Sequence, residues 1–553
     1  MRYRKLVLLL ISCLTAAAAI AQEPKFQMST PIAINQSGVF KVLCLRNGNT
    51  MLLHLEPSKP ILVKIYDSLH KLKASREHGC GELNVNTFKT SIFKGLFEVN
   101  GQAVLFFQQL HLTRQELVRV IIDGTTGRLV EEKMIGQSKA LSKPTQFYVM
   151  PNKAADNYAI LYSTDAPQFK ECDVHITYFD SRHERIKDVE LDVPRNDYDF
   201  MSVVSADNLP NGACITLGFA KLEINGTTSN IGRDPKNSTY LHYLGIYYIP
   251  KDSLKPRSQI VDLTTDIYPY YSLYTYNPFA QSINLLLLSY RDAFYRNGLE
   301  FLPTSFSAQL LLKMDENTWD LHHAWINNKI ATNYLRQRTD TSRVYQGIPI
   351  KAFTNSNGLS TVVSEAFNRY QSVETNARAV VRETYFGDIC VTQYNDDGDE
   401  IWGTILPKTQ YYKSYRKYYT PTEMGKRWQD QDLFSDLPPQ VYSRQFASLN
   451  TYAYNNNHYI IYNDLKQNFG NNVVRPGDTV FTLDAANAVY YKIDKKREVT
   501  KHNLLGETPA IMEYKTSFIE GADFDEQRGV YATLIQFKRR DYTSLRMAWT
   551  TLD

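Results

Sequence analysis

Apolar and polar residues alternate along this chain in short runs, each ending in Asp or Asn, passing through a polar turn and resuming as a second alternating run. Alternation with a period of two marks a strand buried on one face, so each such pair predicts a β-hairpin. The hairpins are Ile61 to Arg76 around Asp67-Ser68, Leu117 to Ile135 around Asp123 to Gly127, Asp173 to Val193 around Asp180-Ser181, and Leu244 to Leu263 around Lys251 to Ser253. Gln309 to Ile326 around Asp315 to Asn317, Asp388 to Leu406 around Asn395 to Gly398, and Ala488 to Leu505 around Asp494 continue the series. Successive turns lie roughly 55 to 100 residues apart, the size of propeller blades carrying insertions.

Upstream of each hairpin lie two more strand-like runs joined by a short turn, which gives four-strand units with strands A to D. In the first unit A is Phe40 to Leu45, the turn is Arg46 to Asn49, and B is Thr50 to Glu56. Later A-to-B turns fall at Asn100-Gly101, Asn152 to Asn157, Asn208 to Gly212, Asn277 to Gln281, Asn355 to Gly358, Asn455 to Asn457 and Asp525 to Gly529. Asn, Asp and Gly dominate because tight hairpin turns need positive φ. An eighth unit has runs at Lys515 to Ala522, Gly529 to Lys538 and Leu545 to Thr551, and stops one strand short. A ring of blades has to close, and Pro31 to Asn35 is the expected source of the missing strand. The pattern therefore predicts an all-β, eight-bladed β-propeller closed by an N-terminal strand. Seven blades plus a cap is the main alternative, and a pair of β-sandwiches the other.

The start of the chain changes the count. Arg2, Arg4 and Lys5 precede an apolar run from Leu6 to Ile20 and an Ala19-Ile20-Ala21 cleavage pattern, so residues 1–21 are expected to be an export signal. The run is too short for a membrane anchor and has no basic stop-transfer cluster after it. Leu10 to Cys13 offers the weaker alternative of a lipoprotein anchored through Cys13. No later stretch has 18 uninterrupted apolar residues, so no membrane span is expected and the mature protein should be periplasmic or extracellular. Without the leader, 532 of the 553 residues remain, about 66 for each of eight units, and 22–553 is expected to be a single propeller domain.

Composition agrees with strands. There are 38 Tyr and 26 Phe against 10 Met, and aromatic side chains suit a pleated, half-buried surface. The formal charge of +4 falls to +1 once the three basic residues of the leader are removed, which gives no electrostatic case for nucleic acid. Five cysteines then remain without C-x-x-C spacing; Cys44, Cys214 and Cys390 read as core residues, and Cys80 with Cys172 is the one pair placed to bridge.

Asp388-Ile-Cys-Val-Thr-Gln-Tyr-Asn-Asp-Asp-Gly-Asp-Glu-Ile-Trp402, followed by Ile405-Leu-Pro-Lys-Thr-Gln410, resembles the blade hairpins of exported bacterial β-propeller proteins. The resemblance is one of strand pattern over most of the chain and carries no catalytic motif. It implies fold and location only.

In a propeller the A-to-B and C-to-D turns lie on one face, and the B-to-C and D-to-A connections on the other. The long insertions are nearly all of the second kind: 221–239, 291–306, 367–387, 407–440 and 465–486. A repeat protein decorated on one face commonly binds there, although surface loops also lengthen by drift. The segment Gln410-Tyr-Tyr-Lys-Ser-Tyr-Arg-Lys-Tyr-Tyr-Thr-Pro421 interleaves basic and aromatic residues, as surfaces do that stack on rings and neutralise anions. The alternative is that these tyrosines plug the link against neighbouring blades. The candidate ligand-binding residues are Arg291, Tyr295, Arg369, Tyr370, Tyr412, Tyr415, Arg416 and Tyr419. A second aromatic run, Tyr268 to Tyr276, alternates as an A strand and belongs to the core.

Motifs for chemistry are missing. There is no H-E-x-x-H, G-x-S-x-G, G-x-x-x-x-G-K or G-x-G-x-x-G, and no cofactor or metal site is expected. Asn395 to Glu400 fails as a calcium loop because Gln393 and Thr404 stand where acids are needed. His322-His323 points to opposite faces of a strand, and Cys172-Asp-Val-His175 has no companion ligands in sequence. Glu365 and Asp292, each near the start of a long insertion, are the remaining carboxylates for acid–base work, with pairing to Arg291 and Arg369 as the structural alternative. The expected function is that of an exported, monomeric, non-enzymatic propeller binding a glycan or a protein through its loop-rich face. The alternative is a glycoside-active enzyme using Glu365 and Asp292.

Overall fold

The computed structural model describes residues 25–552 with breaks, the longer ones at 84–91, 139–144, 165–172, 225–237, 291–307, 337–344, 418–446, 470–479, 481–485 and 507–512. The expected leader, Cys13, Arg291, Asp292, Tyr295, Tyr419 and Cys172 lie outside the described residues.

The fold is an all-β propeller of eight blades in a ring, with almost no helix. Strand β1 (Phe26–Met28) precedes blade 1, which comprises β2 (Val39–Cys44), β3 (Thr50–Leu55), β4 (Ile61–Tyr66) and β5 (Leu72–His78). Blade 2 holds β6 (Ile92–Val99), β7 (Gln102–His111), β8 (Arg114–Asp123) and β9 (Leu129–Gln137). Blade 3 holds β10 (Thr145–Asn152), β11 (Asn157–Thr164), β12 (Val174–Phe179) and β13 (Arg185–Glu190). Blade 4 holds β14 (Phe200–Leu209), β15 (Gly212–Ile224), β16 (Ser238–Pro250) and β17 (Arg257–Asp262). Blade 5 holds β18 (Tyr268–Asn277), β19 (Ser282–Tyr290), β20 (Ala308–Asp315) and β21 (Leu321–Trp325). Blade 6 holds β22 (Gly347–Thr354), β23 (Ser360–Glu374), β24 (Ala379–Tyr394) and β25 (Glu400–Leu406), with β26 (Gln410–Lys417) added to it. Blade 7 holds β27 (Asn450–Tyr454), β28 (Asn457–Leu465), β29 (Ala486–Ile493) and β30 (Val499–Asn503). Blade 8 is built from β31 (Glu513–Ser517), β32 (Asp523–Asp525), β33 (Val530–Arg539) and β34 (Tyr542–Thr551).

Each blade is built on four antiparallel strands and sandwiched between two neighbours, which explains the patterning. Second and third strands are buried on both faces, so β3 is buried at every position. Fourth strands form the rim, and β5 is mostly exposed. Apolar clusters fill the interfaces between neighbours. Leu53, Ile61 and Val63 meet Leu105, Phe107 and Val118 between blades 1 and 2, and Leu161 and Ile176 meet Ile215 and Leu217 between blades 3 and 4. Tyr274, in the aromatic run expected to be core, places its hydroxyl against Thr216 and the Ser205 carbonyl of blade 4.

The repeated Asp or Asn at the third turn has a definite task. Oδ1 of Asp67, Asp123, Asp180, Asp315, Asn395 and Asp494 each accepts hydrogen bonds from two amides of its own turn. The turns then pass through a left-handed residue, Gly127 (φ 68°) in blade 2 and Gly398 (φ 82°) in blade 6. The segment with the calcium-loop look is one of these turns.

The N-terminus closes the ring, with its paired strand upstream of the expected Pro31 to Asn35, from which Ile32 alone among the described residues bridges to β34. Phe26–Met28 pairs with β34 in the register Phe26 to Thr550, and Ile32 adds one isolated bridge to Leu545. Phe26 and Met28 pack against the core shared by blades 7 and 8, and Gly506 (φ 72°) leaves Phe26 the space of a missing Cβ. Pro31 has no amide to donate to a ladder. Across the closing interface Trp549 is fully buried, donates Nε1–H to Thr50 Oγ1 at 3.0 Å and stacks on His70. Cys80 is a free, partly buried thiol beside Glu132, whose charge adds to burial in raising its pKa to about 12. No helix among the described residues is long and apolar enough to cross a membrane.

His458 gives the fold a pH dependence. Its imidazole is buried against Phe353, Nδ1 has no hydrogen-bond partner among the described residues, and burial lowers its pKa from 6.5 to about 4. The unfolded chain takes up this proton first as pH falls, so stability is lost between about pH 6.5 and 4 and levels off below. In urea melts, the stability difference between His458→Leu and the parent is expected to move in favour of the variant by about 3 kcal/mol from pH 7 to pH 4. A difference independent of pH would contradict the assignment.

Candidate binding face

Blade 6 departs from the four-strand plan on the side of the B-to-C connections. Strands β23 and β24 run for 15 and 16 residues, whereas β25 covers only Ile389 to Tyr394 of β24. The rest of β24 pairs instead with β26, from Ala379 opposite Lys417 to Phe386 opposite Gln410. Two insertions expected as loops, 367–387 and 407–440, thus form in part a three-stranded ribbon beyond the blade. In blade 4 the 221–239 insertion likewise begins and ends as an extension of β15 and β16. The 465–486 insertion returns through Val480, which pairs in parallel with Gln410 at the start of β26. Insertions from blades 6 and 7 therefore meet.

The ribbon's register arranges most of the candidate residues. Thr384 is opposite both Arg369 and Tyr412, and Glu383 is opposite both Tyr370 and Lys413. Val381 is opposite Tyr415 and Val380 opposite Arg416. Arg369, Tyr370, Tyr412, Tyr415 and Arg416 are thus brought into one small sheet, although their side chains lie outside the described residues. Nearer the base, Tyr385 and Tyr411 form a cross-strand ring pair at 4.8 Å, with Tyr385 38% exposed.

Beneath the ribbon is a buried ion pair. The Lys408 side chain is fully buried and its ammonium binds Glu365 Oε1, while Ser448 Oγ donates to Glu365 Oε2 at 2.7 Å. Lys408 also lies over the Phe386 ring at 5.3 Å, and its backbone amide donates to Asp388 Oδ1 at 3.1 Å. Burial lowers the Lys408 pKa against the pull of Glu365, and burial raises that of Asp388. Gln410 continues the network: its Oε1 accepts from the Ser448 amide, and its Nε2 donates to the Asn463 carbonyl. Asn463 in turn exchanges two hydrogen bonds with Ser517 of blade 8. The link after β25 is therefore tied to blades 7 and 8 by satisfied polar groups.

This geometry corrects the place given to Glu365. It stands on the expected strand but is 1% exposed and engaged by Lys408 and Ser448. Its cationic partner is Lys408 of the same blade, a residue passed over in the sequence. The available signal was two opposite charges in apolar surroundings, Val362-Val-Ser-Glu365 and Ile405-Leu-Pro-Lys408, at the same end of blade 6. Other lysines on inner strands are also engaged, with Lys41 over Phe93 and Lys351 over Tyr452.

No family model matches the chain, and no curated protein matches it significantly. Among solved structures, similar ones include the WD40 domain of SCAP from fission yeast, with 8% identity over 95% of this chain and 98% of that one and a TM-score of 0.33. Quinohemoprotein alcohol dehydrogenase from Comamonas testosteroni gives 8% identity over 95% and 76%, with a TM-score of 0.40. A protein from Lactobacillus plantarum gives 10% over 84% and 96%, with a TM-score of 0.33. These likenesses are too distant to bear on chemistry.

The buried pair yields a stability test. Glu365→Gln leaves an ammonium in the interior without its counter-charge, which is expected to cost about 3 to 5 kcal/mol in urea denaturation. Replacing both partners by apolar residues, Glu365→Leu with Lys408→Met, is expected to cost less than the single change. A single variant within about 1 kcal/mol of the parent would show that the pair is not closed in solution.

Proposed function

We propose that this chain is an exported, non-enzymatic propeller whose ribbon-bearing face binds an acidic glycan. The observation that carries the reading is the docking of the basic, aromatic strand Gln410–Lys417 on the extended hairpin of blade 6, over the buried Glu365–Lys408 pair. A rigid base under a ribbon rich in Tyr, Lys and Arg suits stacking on sugar rings and pairing with carboxylate or sulfate groups. Export rests on the leader sequence, and a glycan fits that compartment better than nucleic acid does. The enzymatic alternative loses support because Glu365 is held in an ion pair rather than presented to a substrate.

A glycan array probed with the mature protein is the direct test. Binding is expected to concentrate on acidic glycans, and Tyr412→Ala combined with Arg416→Ala is expected to weaken it at least about tenfold, or 1.4 kcal/mol, at unchanged thermal stability. Absence of glycan binding, or full binding by the double variant, would overturn the reading.

A further inference from the structure

We propose that Asp173, His175 and Glu190 on blade 3 form a binding site for a divalent metal ion of the zinc type. One ligand atom from each of the three lies within 4.8 Å of the other two. The arrangement follows from the hairpin. His175 is directly opposite Glu190 in the β12–β13 ladder, and Asp173, two residues before His175, returns to the same side of the sheet. Only the register reveals the set, because Glu190 stands across a turn from the other two.

The surroundings hold these groups in place. The His175 ring stacks on Tyr162, its neighbour across β11 and β12, with centroids 5.0 Å apart and planes at 15°. The Asp173 backbone is fixed from both sides, its amide donating to Thr164 Oγ1 at 2.8 Å and its carbonyl accepting from the Thr164 amide at 3.2 Å. The nearby acid Asp188 is occupied separately by Thr177 and Arg185. Asp173 and His175 are half-buried and Glu190 is exposed.

The donor set selects the ion. An imidazole nitrogen with two carboxylates suits zinc or a similar first-row ion, whereas calcium and magnesium take oxygen ligands. Two carboxylates balance a divalent charge, and metal–ligand bonds of about 2 Å require only that the side chains draw together slightly. Three protein ligands leave a further position for water or for an anionic group of a bound molecule. The site is independent of the glycan reading, since its residues belong to blade 3 rather than to the ribbon.

Equilibrium dialysis of the mature protein against zinc chloride, with metal quantified per chain, tests the proposal, and cobalt(II) absorbance reports the ligand field. One equivalent is expected, with His175→Ala and Glu190→Gln each lowering affinity more than about tenfold and Asp188→Asn leaving it unchanged. Less than a tenth of an equivalent bound, or binding unaffected by both ligand variants, would overturn it. Should His175→Ala fail to fold, the exposed Glu190→Gln decides alone.

Discussion

The pairing of β1 with β34 is the interaction on which the rest of the structure depends. It brings residue 26 beside residue 550 and supplies the outer strand that blade 8 lacks. Without it β34 would present an open edge, and the interface of blades 8 and 1 would rely on side chains such as Trp549 and Phe40 alone. A ring differs in this from a stack of repeats. Each blade buries both faces only between two neighbours, and in a closed ring no blade is left with a bare outer face.

Closure also fixes what the outward face can present. Blade 6 is held between blades 5 and 7, so its long strands continue past the ring as a ribbon with a defined base rather than as a free loop. The Glu365–Lys408 pair sits where the ribbon leaves the blade. A buried pair of this kind adds little net stability, because desolvation offsets attraction, but breaking one side is costly. Its effect is to favour a single position for the link that leads into β26. The ring thus supplies the base from which the ribbon extends.

Much of this was legible in the residues. The recurrent Asp or Asn before each polar turn marks a side chain capping its own turn, as at Asp67 and Asp494, and the apolar runs of second and third strands reflect burial on both faces. Eight units and an N-terminal closure followed from these local signals. What stayed hidden is long-range pairing. Nothing in Pro31 to Asn35 versus Phe26–Met28 states which stretch forms the ladder with β34; Phe26 packs where Gly506, 480 residues away, leaves room that a Cβ would take. Lys408 was missed for the same reason, since a lone lysine after a proline reads as surface until the end of β23 is known to face it. Glu190 became a partner of His175 only through the β12–β13 register. The tyrosine excess also divides on this basis, with Tyr274 and Tyr462 in the interior and Tyr385 with Tyr411 at the base of the ribbon.

Closure is most directly tested by amide hydrogen exchange in β34, compared between a form beginning at Gln22 and one beginning at Ser29. The Thr551 amide donates to the Lys25 carbonyl at 3.0 Å, so it is expected to be protected in the longer form and to exchange at least about a hundredfold faster in the shorter one. Equal protection of Thr551 and its neighbours in both forms would contradict closure by β1.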